Sequence, residues 1–322
     1  MIEELKKRIG NVVEGELLSK HTTFKIGGPA KYFFDAKKSE DLVKALTVAD
    51  ELKVPRFVLG GGSNILVSDT GFDGLVIKQS NSSFKIDGVK VYSESGASVD
   101  AVLNATLDAG LIGWAWAAGL PGTIGGGIRG NAGAYGEGMS NVTESVDLYI
   151  DGKVVTYTNE QMQFSYRNSI AKHIPCVIIS ANLKLIKGDT TADRALVKKY
   201  IDHRVNTQPL EYPNPGCAFK NIDLKKVQVD KDRLLKKMEI TEEEWQAATK
   251  YGKLPTSFIF DRMNLKGKTI GGAQVSTKHG AFIINIGNAR AEHVVMLMSE
   301  LKMRVRNELG LPLEEEVELV GF

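Results

Sequence analysis

The 24 residues from Gly113 to Gly136, GWAWAAGLPGTIGGGIRGNAGAYG, contain nine glycines. Each glycine adds backbone entropy to the cost of folding, and so many of them leave little side chain to pack. Such a segment makes sense where backbone must lie close to something else. The Ala, Thr and Asn residues between the glycines leave amide N–H groups open to a phosphate or a flat ring. A second run, Leu59-Gly-Gly-Gly-Ser-Asn-Ile-Leu66, has the same character. Two such runs point to a large nucleotide cofactor. The competing reading is that Gly60–Gly62 and Gly125–Gly127 only make turns. Against it stand Ser63, Asn64 and Thr123, which add donors and acceptors where an anion would sit. Neither run follows G-x-G-x-x-G between a strand and a helix, which disfavours a doubly wound dinucleotide fold.

A chain of 322 residues has room for two or three domains with real cores. Lys and Arg number 41 against 39 Asp and Glu, a formal charge of +2, and they are spread along the chain. That distribution gives no electrostatic footprint for nucleic acid and no basic amphipathic membrane helix. No apolar run reaches the length of a membrane span. Met1 to Gly10 reads as a charged helix start rather than a signal peptide. The two cysteines, Cys176 and Cys217, stand in unrelated settings, so neither a disulfide framework nor a metal site is expected. A reducing cytoplasm is the simplest location.

Periodicity predicts the elements. Ile2, Leu5 and Ile9 make a helical stripe at the N-terminus. A strand with a tight turn at Gly27, Gly28 and Pro29 spans residues 22–35. An amphipathic helix over 39–52 buries Leu42, Ala45, Leu46 and Ala49. Strands are expected at 56–59, 75–78 and 91–94, then a helix capped by Ser98. Residues 146–157 form a hairpin turning at Asp151-Gly152. A strand over 176–186 takes Cys176 into its core, and a helix covers 193–205. The three prolines of 209–216 mark a boundary or a rigid ledge. A charged helical stretch covers 229–250, a strand 282–285, a long helix follows with Val294, Met298, Leu301 and Val305 inward, and a last strand covers 313–320. In that strand, alternation places Leu313, Glu315, Val317 and Leu319 on one face. Helices and strands mix without a strict βαβ period, so the fold class is α+β.

Seven segments, in order, resemble the UDP-N-acetylenolpyruvoylglucosamine reductases, flavoenzymes that make UDP-N-acetylmuramate for peptidoglycan. They are TTFKIGGPA at 22–30, GGGSNIL at 60–66, GLPGTIGG at 119–126 with NAGAYG at 131–136, YRNS at 166–169, GCAFKN at 216–221, IGGAQVSTKH at 270–279 and LEEEV at 313–317. The resemblance implies a flavin-binding region of the vanillyl-alcohol-oxidase (PCMH) type followed by a C-terminal α+β substrate domain. The corresponding division is an N-terminal helical segment at 1–20, the FAD domain at 21–188 and the substrate domain at 200–322. The short stretch between the hairpin and residue 180 is similar to the compact type of the family. Implied cofactors are non-covalent FAD and NADPH as reductant; the implied partner is a UDP-sugar, with no nucleic acid or membrane. A monomer is expected.

The resemblance also implies roles. Gly60, Gly61, Gly62, Ser63 and Asn64 would cradle the pyrophosphate. Pro121, Gly122, Thr123, Gly125, Gly126, Asn131, Ala132 and Gly133 would line the flavin. Hydride addition to the enolpyruvyl methylene leaves enolate-like charge on the adjacent carbon, which a positioned O–H or S–H must protonate. The family usually has Ser at the position of Cys217, and some members have Cys. A thiol, with pKa of about 8.5, is a stronger acid than an alcohol. Arg167 would bind the enolpyruvyl carboxylate through its guanidinium fork. Glu316, immediately before Val317, would act as a general acid or polarise the enol. Tyr166, Arg204, Lys220, Asn221 and His279 would contact the sugar-nucleotide. From the residues alone, Cys217 also reads as a small buried residue, Glu316 as part of a solvated edge, and His279 as a satisfied structural histidine. Two departures stand out. Thr207 replaces a frequent Lys, and the 222–254 segment is longer than usual, read as an inert surface helix rather than a lid.

Overall fold

Residues 1–322 are described by a computed structural model. By its contacts the chain divides into two compact units. The first comprises residues 1–16, 29–62 and 72–206; the second comprises 17–28, 63–71 and 207–322. The chain therefore crosses between units five times, where the sequence pattern suggested three consecutive segments. Two crossings fall inside glycine motifs, between Gly28 and Pro29 and between Gly62 and Ser63.

In the first unit, the apolar run of Phe72–Gln79 forms the middle of a four-stranded sheet. It pairs in parallel with Pro29–Ala36 on one side and with Arg56–Leu59 on the other. The helix Ser39–Glu51 makes the crossover between Pro29–Ala36 and Arg56–Leu59, with Val12–Leu17 on the far side of Pro29–Ala36. Its stripe of Leu42, Ala45, Leu46, Val48 and Ala49 packs against Tyr32, Phe34, Leu75 and Ile77. Burying a leucine fully contributes about 1.5–3 kcal/mol, so Leu42 and Leu46 anchor this layer. The N-terminal helix Ile2–Ile9 adds Leu5 and Ile9 to the same core, as its periodicity predicts.

A second, antiparallel sheet of five strands runs Lys153–Thr158, Thr143–Ile150, Val177–Lys184, Lys90–Glu94, Phe84–Asp87. The hairpin turns at Asp151 and Gly152, both with positive φ (48° and 80°), the conformation a two-residue hairpin loop needs. Cys176 lies just before Val177–Lys184, half-buried against the core, rather than within the strand. Helix Val99–Asp108 covers this sheet with Val99, Val102, Leu103 and Leu107. Ser98 precedes the helix but its hydroxyl does not cap it; its backbone instead bridges to Thr123.

The glycine run is less bare than its composition implies. Trp114, Trp116, Ile124 and Ile128 anchor it in the core of the antiparallel sheet, and Ile124–Arg129 is a short helix.

In the second unit, the helix Ala291–Leu309 buries Val294, Met298, Leu301 and Val305 as expected, with Leu297 and Leu309. It packs on a small antiparallel sheet of Thr269–Ile270, Ala273–Val275 and Ile283–Asn285. Asp69 caps this helix from far away in sequence, accepting from the N–H groups of Ala291 (2.9 Å) and Glu292 (3.1 Å). The charged stretch is two helices, Lys231–Met238 and Glu242–Thr249, broken by a capping box between Thr241 and Glu244. Trp245 on the second is 7% exposed and belongs to the core, so this segment is more than an inert surface helix.

The terminal strand is shorter than expected. Only Glu318–Val320 is regular, paired in parallel with Ile65–Val67. Leu313 and Val317 are buried, but the alternation then slips: Val320 is buried and Leu319 is 49% exposed. No helix is long and apolar enough to cross a membrane.

Candidate functional site

The two glycine runs meet in the first unit. A Cβ on Gly61 would lie 2.6 Å from the Cα of Gly122, and one on Gly60 would lie 2.9 Å from the Thr123 Oγ1. Backbone thus rests on backbone, a spacing only glycine permits. The second run is held from its other side as well. Val99 N–H donates to the Gly122 carbonyl (3.2 Å), Ile124 N–H to Ala97 (2.9 Å) and Gly125 N–H to Ser95 (2.8 Å). Thr123 Oγ1 then accepts from Gly126 N–H at 3.3 Å, starting the short helix. Gly125 is packed shut, since a Cβ there would meet the Ser95 Cβ at 2.8 Å. Gly126 is different: it is exposed, and a Cβ would meet only the Thr123 Oγ1, at 3.5 Å. Pro121 and Gly126 expose their backbone beside the cradle formed by Gly60, Gly61 and Gly122.

Tyr166-Arg167 is the tip of a tight turn closed by mutual backbone hydrogen bonds between Ser165 and Asn168 (3.0 and 3.1 Å). Arg167 has φ 55°, unusual for a residue with a side chain. The glycine run holds the turn. Asn131 donates its Nδ2 to the Ser165 carbonyl (2.9 Å) while its Oδ1 accepts from Ser140 N–H (3.0 Å). Ser169 Oγ donates to the Arg129 carbonyl at 2.7 Å. The guanidinium of Arg167 donates to the Gly133 carbonyl at 3.0 Å and lies over the Tyr166 ring. Ala132 is partly buried beside them against the sheet's core. Arg167, Tyr166, Asn131, Ala132 and Gly133 therefore form one assembly.

Helix Thr191–Thr207 buries none of its residues fully, yet it carries Arg204, whose side chain lies over Gly119. Tyr200 on the same helix stacks on Tyr135 (centroids 3.8 Å apart, planes 16° from parallel), with His203 at the ring edge. Burial pushes the Tyr135 hydroxyl up, against the pull of the Arg204 charge. This aromatic pair has no sequence signal beyond a tyrosine set between Ala134 and Gly136.

The second unit brings another set together. Residues 217–220 lie between two extended segments. Cys217 bridges to Phe282, and Ala218 N–H donates to the Ala281 carbonyl (2.8 Å). On the other side Glu316 N–H donates to the Ala218 carbonyl (2.9 Å), and Lys220 N–H to Glu314 (2.9 Å). Ala218 thus stands opposite Glu316, with Cys217 one residue before it. Asn64 fixes the outer segment by donating to the Glu316 carbonyl (2.9 Å) and accepting from Glu318 N–H (3.0 Å). Half-buried Cys217 follows Gly216, whose φ is 85° and whose N–H donates to the Asn214 side chain (3.0 Å). Ser63, next to Asn64, is partly buried.

Lys220 forms an ion pair with Glu314, and Asn221 Oδ1 accepts from Thr256 N–H (3.2 Å). His279 Nδ1 accepts from Ala281 N–H (3.3 Å) and its ring meets Phe282 edge-on at 4.9 Å. Burial pushes the Cys176 thiol up, which suits an inert packed residue.

A cradle of touching backbones, with an exposed glycine face beyond it, fits a flat ring joined to a diphosphate. A family model described as an FAD binding domain matches residues 30–162. One described as the C-terminal domain of UDP-N-acetylenolpyruvoylglucosamine reductase matches residues 208–320. Relatives named UDP-N-acetylenolpyruvoylglucosamine reductase align along the whole chain. The one from Caldanaerobacter subterraneus subsp. tengcongensis is 33% identical over 100% of this chain and 98% of its own. That from Bacillus velezensis is 35% identical over the same shares. The crystal structure of the Thermus caldophilus UDP-N-acetylenolpyruvylglucosamine reductase superposes with a TM-score of 0.74 at 29% identity, covering 96% of this chain and 98% of that one. Sequence and structure together place the chain in the UDP-N-acetylenolpyruvoylglucosamine reductase family of FAD-dependent oxidoreductases.

Proposed function

We infer that the protein reduces UDP-N-acetylglucosamine enolpyruvate to UDP-N-acetylmuramate, a step of peptidoglycan precursor synthesis, with NADPH as the electron source. The observation that carries this reading is the Arg167 turn. An anion-binding guanidinium is clamped to the same glycine run that forms the cofactor cradle, through Gly133 and Asn131. An enzyme acting on neutral alcohols has no use for a fixed positive charge at that place.

FAD held here would supply the hydride-transfer chemistry between NADPH and the methylene carbon of the substrate. Gly60, Gly61, Gly62, Ser63 and Asn64 would hold its diphosphate, and Pro121, Gly122, Thr123, Gly126, Asn131, Ala132 and Gly133 would line its ring, while Gly125, expected there from the sequence, packs behind them against Ser95. Arg167 binds the enolpyruvyl carboxylate and spreads the negative charge that develops beside it. Cys217 donates its S–H proton to the carbon next to the carboxylate and is reprotonated from solvent. Glu316 holds the enol's polarised form from the neighbouring segment. Tyr166, Arg204 and His279 contact the sugar-nucleotide, with Lys220 and Asn221 once Glu314 is displaced. A monomer suffices for this scheme, and its soluble substrates, a nucleotide sugar and NADPH, place the work in the cytoplasm.

Stopped-flow spectroscopy tests the reading against an oxidase of related fold and a protein that binds flavin without chemistry. Flavin absorbance should bleach with NADPH and return rapidly only when the enolpyruvyl substrate is added. Rapid reoxidation by oxygen alone, or no bleaching, rejects it.

A further inference from the structure

In the sequence Lys78 closes an apolar strand. In the structure it stands in register with Asp35 on one neighbouring strand and Leu59 on the other. Val76 and Ile77 just before it are fully buried. Its ammonium donates to the carbonyl of Gly60, the first residue of the cofactor cradle. Burial pulls the Lys78 ammonium below its ordinary value, and the Asp35 charge opposes this. For Asp35, burial alone would raise the carboxyl. Hydrogen bonds from Lys37 and Ser80, with the charges of Lys37 and Lys78, outweigh it and hold the group low.

A cation kept in such a place costs desolvation that an aliphatic residue would avoid. The peptide it grips explains the cost. In a trans peptide the C=O and the following N–H point in opposite directions. With the Gly60 carbonyl turned onto the ammonium, the Gly61 N–H is turned away from the strand. Neither Gly60 nor Gly61 has a side chain to set that orientation.

We propose that Lys78 is a positioning residue for the cofactor diphosphate: it locks the Gly60–Gly61 peptide with its N–H toward the phosphates and backs that peptide with a positive charge. This rests on the reading that residues 60–64 hold the diphosphate.

The test compares two ligands on the apoprotein, followed by flavin fluorescence. FAD carries the diphosphate; riboflavin carries the same ring without it. Lys78→Met should weaken FAD about ten- to a hundredfold, the weight of one charge-assisted hydrogen bond, while riboflavin affinity stays at the wild-type level. Lys78→Arg should recover most of the FAD affinity. If Lys78→Met does not fold, Asp35→Asn/Lys78→Met removes both charges together and should show the same selective loss. Equal loss for both ligands, or FAD affinity within about twofold of wild type, overturns the proposal. Wild-type protein that binds riboflavin as tightly as FAD would instead overturn the diphosphate reading beneath it.

Discussion

Gly126→Ala separates glycines kept for the protein's own packing from those kept for a ligand. Gly126 lies in the helix Ile124–Arg129 with ordinary φ, is exposed, and offers a new methyl only one neighbour, the Thr123 Oγ1 at 3.5 Å. That distance is ordinary contact, so the apoprotein has nothing to rearrange. Replacing helical Gly by Ala should then stabilise it by up to about 0.5–1 kcal/mol. If the flavin ring lies on this backbone, the methyl intrudes between them. Overpacking of this kind costs about 1–3 kcal/mol. FAD affinity should therefore fall between about fivefold and 150-fold. Melting curves of apoprotein with and without FAD read both effects, because ligand stabilisation follows the ratio of free ligand to Kd. The expected pattern is an unchanged or raised apo Tm with a smaller FAD-induced increase. An apo Tm that drops, or FAD affinity equal to wild type, would refute the assignment of Gly126 to the ring. Gly125→Ala is the contrast: its methyl meets Ser95 at 2.8 Å, so the apoprotein itself should lose stability.

Three further expectations concern other residues. Cys217→Ala should leave flavin reduction by NADPH nearly intact and slow reoxidation by substrate about a hundredfold or more; equal loss in both half-reactions would reject a proton-donor role. Arg167→Ala should likewise harm the substrate half-reaction more than NADPH oxidation, measured by single-turnover kinetics, with Arg167→Lys restoring only part because the planar fork is lost. Asp69→Ala removes two hydrogen bonds from the start of Ala291–Leu309 and should cost about 1 kcal/mol of stability by urea denaturation; an unchanged midpoint would show that solvent replaces the cap.

Local pattern made much of this molecule readable. The Asp151-Gly152 hairpin, the Ser39–Glu51 helix and the stripe of Ala291–Leu309 follow from side-chain period and turn chemistry, which act over a few residues. So do the glycine runs, because a backbone that must approach another backbone can carry no side chain. What those glycines approach was not readable. Gly61 meets Gly122, Gly28 lies where a Cβ would strike the Asp69 carbonyl, and Gly125 faces Ser95, all contacts between distant parts of the chain. The same limit applies to Lys78. In sequence it is one cation after an apolar strand, and only the parallel register beside Asp35 and Leu59 brings its ammonium to Gly60. The terminal strand shows the converse. Its alternation predicted Leu319 inward, but pairing with Ile65–Val67 set the local geometry and buried Val320 instead. Residue type and spacing thus determined which segments are helix, strand or bare backbone and which side chains can do acid, anion-binding or cofactor chemistry. Tertiary structure decided which of them meet, because hydrogen-bond register and close packing join residues whose separation along the chain carries no local signal.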